Sequence, residues 1–160
     1  MRTRKAKLTH VRADGSLQMV DTSGKANTAR TAIAEALVRM TPAARRALKA
    51  GALKKGDALA AARVAGIMAA KRTSGLIPLC HPLALTDIDV KIDFSGRDSV
   101  RVACSAACFG PTGVEMEALV GAAIAALTIY DMCKAMDRGI TIEFVRLREK
   151  AGGASGSWRR

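Results

Sequence analysis

Asp131 and Lys134, in "YDMCKA", lie three residues apart, close to one helical turn, where a carboxylate and an ammonium can pair and share protons. An ordinary surface ion pair has the same spacing and contributes little, so spacing leaves both readings open. Lys54 and Lys55, in "KKGD", stand at the start of an expected helix, where the dipole opposes them. A lysine so placed is a better proton-transfer group at neutral pH or awaits an anion; a solvated lysine pair is the plain alternative. Lys71 and Arg72 stand at the far end of that helix, where cations are ordinary. Glu115 and Glu117 flank Met116 in "GPTGVEMEAL". Capping of a helix start accounts for both, and a paired acid function stays open.

His81 is one of two histidines and follows Cys80 in "TSGLIPLCHPL". Pro78 and Pro82 fix their own φ and bias Ile77 and His81 toward extended geometry, so the imidazole is presented from a stiff loop. A packed histidine and a metal ligand both fit that description. Cys80, Cys104, Cys108 and Cys133 form no CxxC pair and have no histidine at finger spacing, which favours buried reduced thiols over a zinc site. The tail "KAGGASG" could wrap a phosphate through backbone N–H groups, but it lacks the P-loop pattern, and a flexible tail fits equally well.

These groups must be held by a domain built almost without aromatics. The chain has 160 residues, 49% of them hydrophobic and 3% aromatic, so we expect one domain over 1–160 with a core of Ala, Val, Ile, Leu and Met. Basic tails are expected at about 1–8 and 151–160. The net charge of +12 concentrates anions, whether nucleic acid, phosphorylated small molecules or acidic membranes. "ALVGAAIAALTIY" (118–130) falls short of the ~20 residues that span a bilayer and reads as a buried core helix. "MRTRKAKLTH" is polar with no apolar run behind it, so a cytoplasmic location is expected.

The pattern of elements is legible. "TARTAIAEALVRM" (28–40) reads as helix or strand, with the alternation of Ala32, Ala34, Ala36, Val38 and Met40 favouring a strand. Thr41 and Pro42 open a helix that stops at Gly51, and Asp57 caps a second helix running through Ala70. "LTDIDVKIDF" (85–94) and "SVRVACSAACF" (99–109) alternate and form a hairpin with one wet face. A long helix is expected from near Val114 to a stop at Gly139, followed by a strand over 140–149. Strand, helices, two strands, helix and strand make an α+β, ferredoxin-like sandwich in which helices cover one antiparallel sheet.

"MVD" with "SGK", "KGD", "AGIMAAKRTS", "LIPLCHPL", "TGVEMEAL" and "ALTIYDMCKA" together resemble the molybdenum cofactor biosynthesis protein C family, the cyclic pyranopterin monophosphate synthases. The resemblance runs from about Leu8 to Trp158 and implies the same ferredoxin-like fold. It implies an enzyme that rearranges 3',8-cyclo-7,8-dihydroguanosine triphosphate to cyclic pyranopterin monophosphate with loss of pyrophosphate. It places proton transfer on Lys55, Asp131 and Lys134, and substrate binding on Leu79, Cys80, His81, Glu115 and Met116. Arg30, Lys71 and Lys150 match basic positions assigned to the triphosphate. The resemblance implies a homohexamer, a trimer of dimers with active sites at the dimer interface. No cofactor is expected, although magnesium could ride on the triphosphate, and no metal is assigned to the protein. Three positions depart from the family pattern: Gly24 where Asp is common, Gly75 where Glu is frequent, and Ala154 where a tail lysine is usual.

The rival reading is a basic nucleic-acid-binding protein. One Trp, one Tyr and three Phe offer little to stack on bases, and Phe94, Phe109 and Phe144 are expected in strand cores by alternation, so no nucleic-acid or membrane partner is expected.

Overall fold

Alternation wins over helical periodicity in the ambiguous N-terminal segment. Thr28–Arg39 forms strand β1, with Ala32, Ala34, Ala36 and Val38 on one buried face and Glu35 and Arg39 on the other. The computed structural model describes residues 10–12, 14–94, 96–154 and 156–160. The basic stretch expected at about 1–8 lies outside the described residues.

Thr41 accepts a hydrogen bond from the Ala44 N–H and opens α1 (Pro42–Lys49), which buries Ala44 and Leu48. Asp57 accepts from the Leu59 and Ala60 N–H groups and opens α2 (Ala58–Ala70). A single turn, α3 (Thr73–Leu76), leads into the proline-bracketed loop. The hairpin follows as β2 (Leu85–Asp93) and β3 (Ser99–Gly110), then α4 (Glu115–Cys133), β4 (Thr141–Ala151) and β5 (Trp158–Arg159). The sheet order β2-β3-β1-β4-β5, antiparallel throughout, is the α+β arrangement expected, with α2 and α4 on one face.

The long helix stops earlier than its sequence suggests. The chain turns at Lys134–Met136, and the Asp137 carboxylate accepts the Thr41 N–H at 2.6 Å and the Gly139 N–H at 2.8 Å. That link to the start of α1 ends α4 at Cys133, short of Gly139. Phe109 is also not a core residue. The β1–β3 register turns Ala106 and Cys108 inward, which leaves Phe109 outward and 65% exposed. The tail is not free either: β5 pairs Arg159 with Glu149 and Trp158 with Lys150.

α4 has 19 residues and a mean hydropathy of 1.5, enough by length and composition to cross a bilayer. It is instead the core helix of this domain, since Ala118, Ala122, Ala125, Ala126 and Ile129 are fully buried against the sheet and α2. Small residues let the layers approach closely. A β-carbon on Gly66 of α2 would stand 2.9 Å from the Gly121 carbonyl oxygen of α4, so the two helices cross at paired glycines. With Lys55 beside Asp131 and Gly66 beside Gly121, the helices run antiparallel.

On the sheet's other face, Glu35 is 2% exposed and bridges Arg101 at 2.8 Å and Arg146 at 2.7 Å. Burial pushes its carboxyl up, and the two guanidinium groups more than reverse this, holding it below the usual range.

Candidate functional site

The predicted residues gather at the two ends of α4. At its C-terminal end, Asp131 Oδ1 is 2.7 Å from Lys134 Nζ and Oδ2 is 3.0 Å from Lys55 Nζ. Lys55 also donates to the Asp131 backbone carbonyl at 2.9 Å. The turn before Asp57 brings Lys55 here, because α2 starts where α4 ends. Hydrogen bonds from Lys134 and then Lys55 hold the Asp131 carboxyl below its ordinary range, and Asp131 in turn pushes Lys134 up. The cluster thus keeps an ammonium acid ready beside an ionised carboxylate.

At the N-terminal end of α4, two clefts adjoin. One, of about 330 Å³, is lined by Leu79, Cys80, His81, Glu115, Met116 and Glu117, with the N-terminal segment at His10, Val20 and Thr22 along one wall. The other, of about 340 Å³, is lined by Arg30, Lys150, Pro111, Gly152 and Ala154. Lys25, Thr112, Gly113 and Glu115 line both, so they form one elongated site. A larger cavity of about 560 Å³ lies at the strand ends beside Ile33, Ala107 and Trp158. It is mainly apolar and touches the predicted residues only through Lys150, whereas the elongated site gathers most of the predicted binding residues.

The His81 end of that site carries a histidine, a thiol and a buried carboxyl. His81 Nε2 donates to the Val20 carbonyl at 2.7 Å, which in the neutral ring leaves Nδ1 as the acceptor. Burial, and then the charge of Glu117, push the Cys80 thiol up, so it is present as a thiol and not as a nucleophilic thiolate. Glu117 is 4% exposed, and burial with the nearby Glu115 charge pushes its carboxyl up. It is a buried acid with hydrogen-bonding capacity facing the cleft. The other end is cationic. Lys150 pairs with Glu115 at 2.8 Å, whereas Arg30 donates only to the Gly110 and Pro111 carbonyls and has no carboxylate partner among the described residues.

Not every prediction converges. Lys71 is exposed at the C-terminal cap of α2, at the same end of the fold as His81 but lining neither cleft. Asp131, which pairs with Lys55 and Lys134, is about 24 Å from Glu115 along α4, at 1.5 Å per residue. Sequence reading missed Glu117, Lys25 and His10 as cleft residues. For Glu117 a signal existed: residues two apart do not share a helix face, so Glu115 and Glu117 cannot both cap from the surface. Ala154 lines the cationic cleft where a lysine is common in the family pattern, and Arg30 and Lys150 stand across from it. No group of three or more His, Cys, Asp or Glu side chains able to hold a metal occurs among the described residues.

The candidate site is thus a cationic cleft joined to a second polar cleft on an α+β fold. The family model described as the MoaC family matches residues 19–153, and the chain belongs to that family. Its role is therefore in molybdenum cofactor biosynthesis.

Proposed function

We propose that the protein is a cyclic pyranopterin monophosphate synthase, converting 3',8-cyclo-7,8-dihydroguanosine triphosphate to cyclic pyranopterin monophosphate and pyrophosphate. The observation that carries this is the continuity of the two clefts through Lys25, Thr112, Gly113 and Glu115, which suits a ring system at one end and a triphosphate at the other. His81, Cys80 and Glu117 hold the ring, while Arg30, Lys25 and Lys150 meet the phosphates. Lys71, outside both clefts, reaches the triphosphate only if another copy or a bound substrate brings it near.

The reaction needs ring opening and reclosure, with protons delivered and removed at each stage and no net redox change. Lysines and carboxylates suffice for that. Lys134, held charged by Asp131, acts as the acid, and Lys55, sharing the same carboxylate, completes the proton-transfer group. Closing the cyclic phosphate expels pyrophosphate, and the cations of the cleft stabilise the charge that develops on it. Magnesium, if required, arrives with the triphosphate.

The roughly 24 Å between Glu115 and Asp131 along α4 supports a shared site, because a substrate of this size does not reach from the cleft to the Asp131 cluster of the same chain. In this reading the proton-transfer cluster of one copy faces the elongated cleft of another, within a homohexamer built from dimers. Free thiols at Cys80, Cys104, Cys108 and Cys133 suit a reducing cytoplasm.

The test is turnover of the cyclised dihydro-GTP, read as pyrophosphate release and as the fluorescent oxidation product of the pterin. Wild type should turn over, and Lys55→Ala and Lys134→Ala should not; an inactive wild type or fully active variants refute the assignment.

A further inference from the structure

The tail glycines lie against Arg30. Gly152 has φ +103° and Gly153 has φ +71°, both in the left-handed region that side chains rarely adopt. A β-carbon on Gly152 would overlap the Ala29 carbonyl oxygen, a backbone atom of β1 that cannot retreat. A β-carbon on Gly153 would overlap Arg30 Nη1 and stand 2.8 Å from Nη2. That obstacle is the far end of a flexible side chain. The two glycines therefore differ in what they protect: Gly152 protects the backbone, Gly153 the position of a guanidinium.

Arg30 depends on this contact because its other restraints are weak. Its Nε donates to the Gly110 carbonyl at 3.4 Å and its Nη2 to the Pro111 carbonyl at 3.3 Å, both long for such bonds. The guanidinium is held between these carbonyls on one side and the bare Gly153 backbone on the other. Lys150 already shares its charge with Glu115, which leaves Arg30 as the part-buried cation of the cleft without an ionic partner among the described residues. Its remaining N–H donors are available to an anion only while the guanidinium stays in that slot.

We propose that Gly153 is a positioning residue for phosphate capture: its missing side chain leaves the slot that aims Arg30 into the cationic cleft. This rests on the reading of that cleft as the phosphate end of the substrate site. Any side chain at Gly153 turns Arg30 away while leaving the sheet intact. The tail then serves phosphate binding through the space it leaves, which is consistent with the absence of a lysine at Ala154.

The test is a thermodynamic cycle on the full-length protein, measuring pyrophosphate binding by titration calorimetry for wild type, Gly153→Ala, Arg30→Ala and the double variant. Thermal melts accompany each, and Gly153→Asn, better tolerated at positive φ, replaces the alanine variant if that one does not fold. Gly153→Ala should weaken pyrophosphate binding about tenfold, the scale of one charge-assisted hydrogen bond, and should add nothing once Arg30 is absent. A general structural role would instead weaken binding equally in both backgrounds and overturn the proposal. Wild-type affinity in Gly153→Ala would overturn it too, leaving the cleft assignment standing. Failure of wild type to bind pyrophosphate at all would overturn both.

Discussion

Lys55 Nζ stands 3.0 Å from Asp131 Oδ2, although 76 residues separate the two in the chain. Antiparallel packing of α2 on α4 creates the contact, and Lys134 closes the other side of the same carboxylate at 2.7 Å. A fold that only needed to cap α4 would not require both lysines. The arrangement keeps Asp131 ionised and Lys134 protonated, the states required of an orienting base and a general acid.

Asp131→Asn should lower kcat on the order of 10²-fold or more, the usual contribution of positioned acid–base groups, with little change in thermal stability because the cluster is exposed. The sign of the pH effect follows from the pairing. Asp131 raises Lys134 above its ordinary value, so its removal lets Lys134 deprotonate earlier. In the residual activity, the alkaline limb of the pH–rate profile should move to lower pH.

Glu117→Gln should separate stability from function. Burial pushes the folded-state carboxyl above its unfolded value, so the native state binds more protons and loses stability as pH rises through that interval. The glutamine variant removes this loss. It should gain in melting temperature over wild type at pH 8 relative to pH 4, as scanning calorimetry would record, while its KM for the cyclised triphosphate rises.

Gly66→Val should destabilise the fold by about 1–3 kcal/mol, the usual cost of overpacking a close-packed interior. The side chain would meet the Gly121 carbonyl and Ala125, neither of which can move without separating α2 from α4. Urea denaturation with an unchanged m-value would show that the loss is one of stability alone.

Glu35→Gln should cost about 1–3 kcal/mol, because a buried group loses two charge-assisted partners. Its carboxyl is held below the 4.5 of an ordinary glutamate. That contribution is therefore complete above the unfolded value and fades as pH falls through the folded one. Acid titrations should accordingly show wild type and variant converging in stability at low pH.

Much of this was legible beforehand. Alternation at Ala32–Val38 and the caps at Thr41 and Asp57 are local signals, and they give β1, α1 and α2 within a residue. The end of α4 was not, because Asp137 stops it through a tertiary bond to Thr41 that no pattern near Gly139 displays. Phe109 fails for a related reason: alternation shows that two faces exist, and only the register with β1 says which is covered. At the site, short motifs brought Leu79, Cys80 and His81 to Glu115 and Met116, but the role of Gly153 arises from a contact across 123 positions with Arg30. The distance from Glu115 to Asp131 is likewise a property of helix length, fixed once α4 is continuous between them.

The measurement that bears most directly on a site shared between copies is subunit complementation. His81→Ala and Lys134→Ala each remove one half of the site, and each should be inactive alone. Coexpressed in equal amounts, they should recover roughly a quarter of wild-type turnover, since about half of isologous dimers are mixed and each mixed dimer rebuilds one of two sites. Mixed oligomers with no activity, or a monomer with full activity, would contradict it.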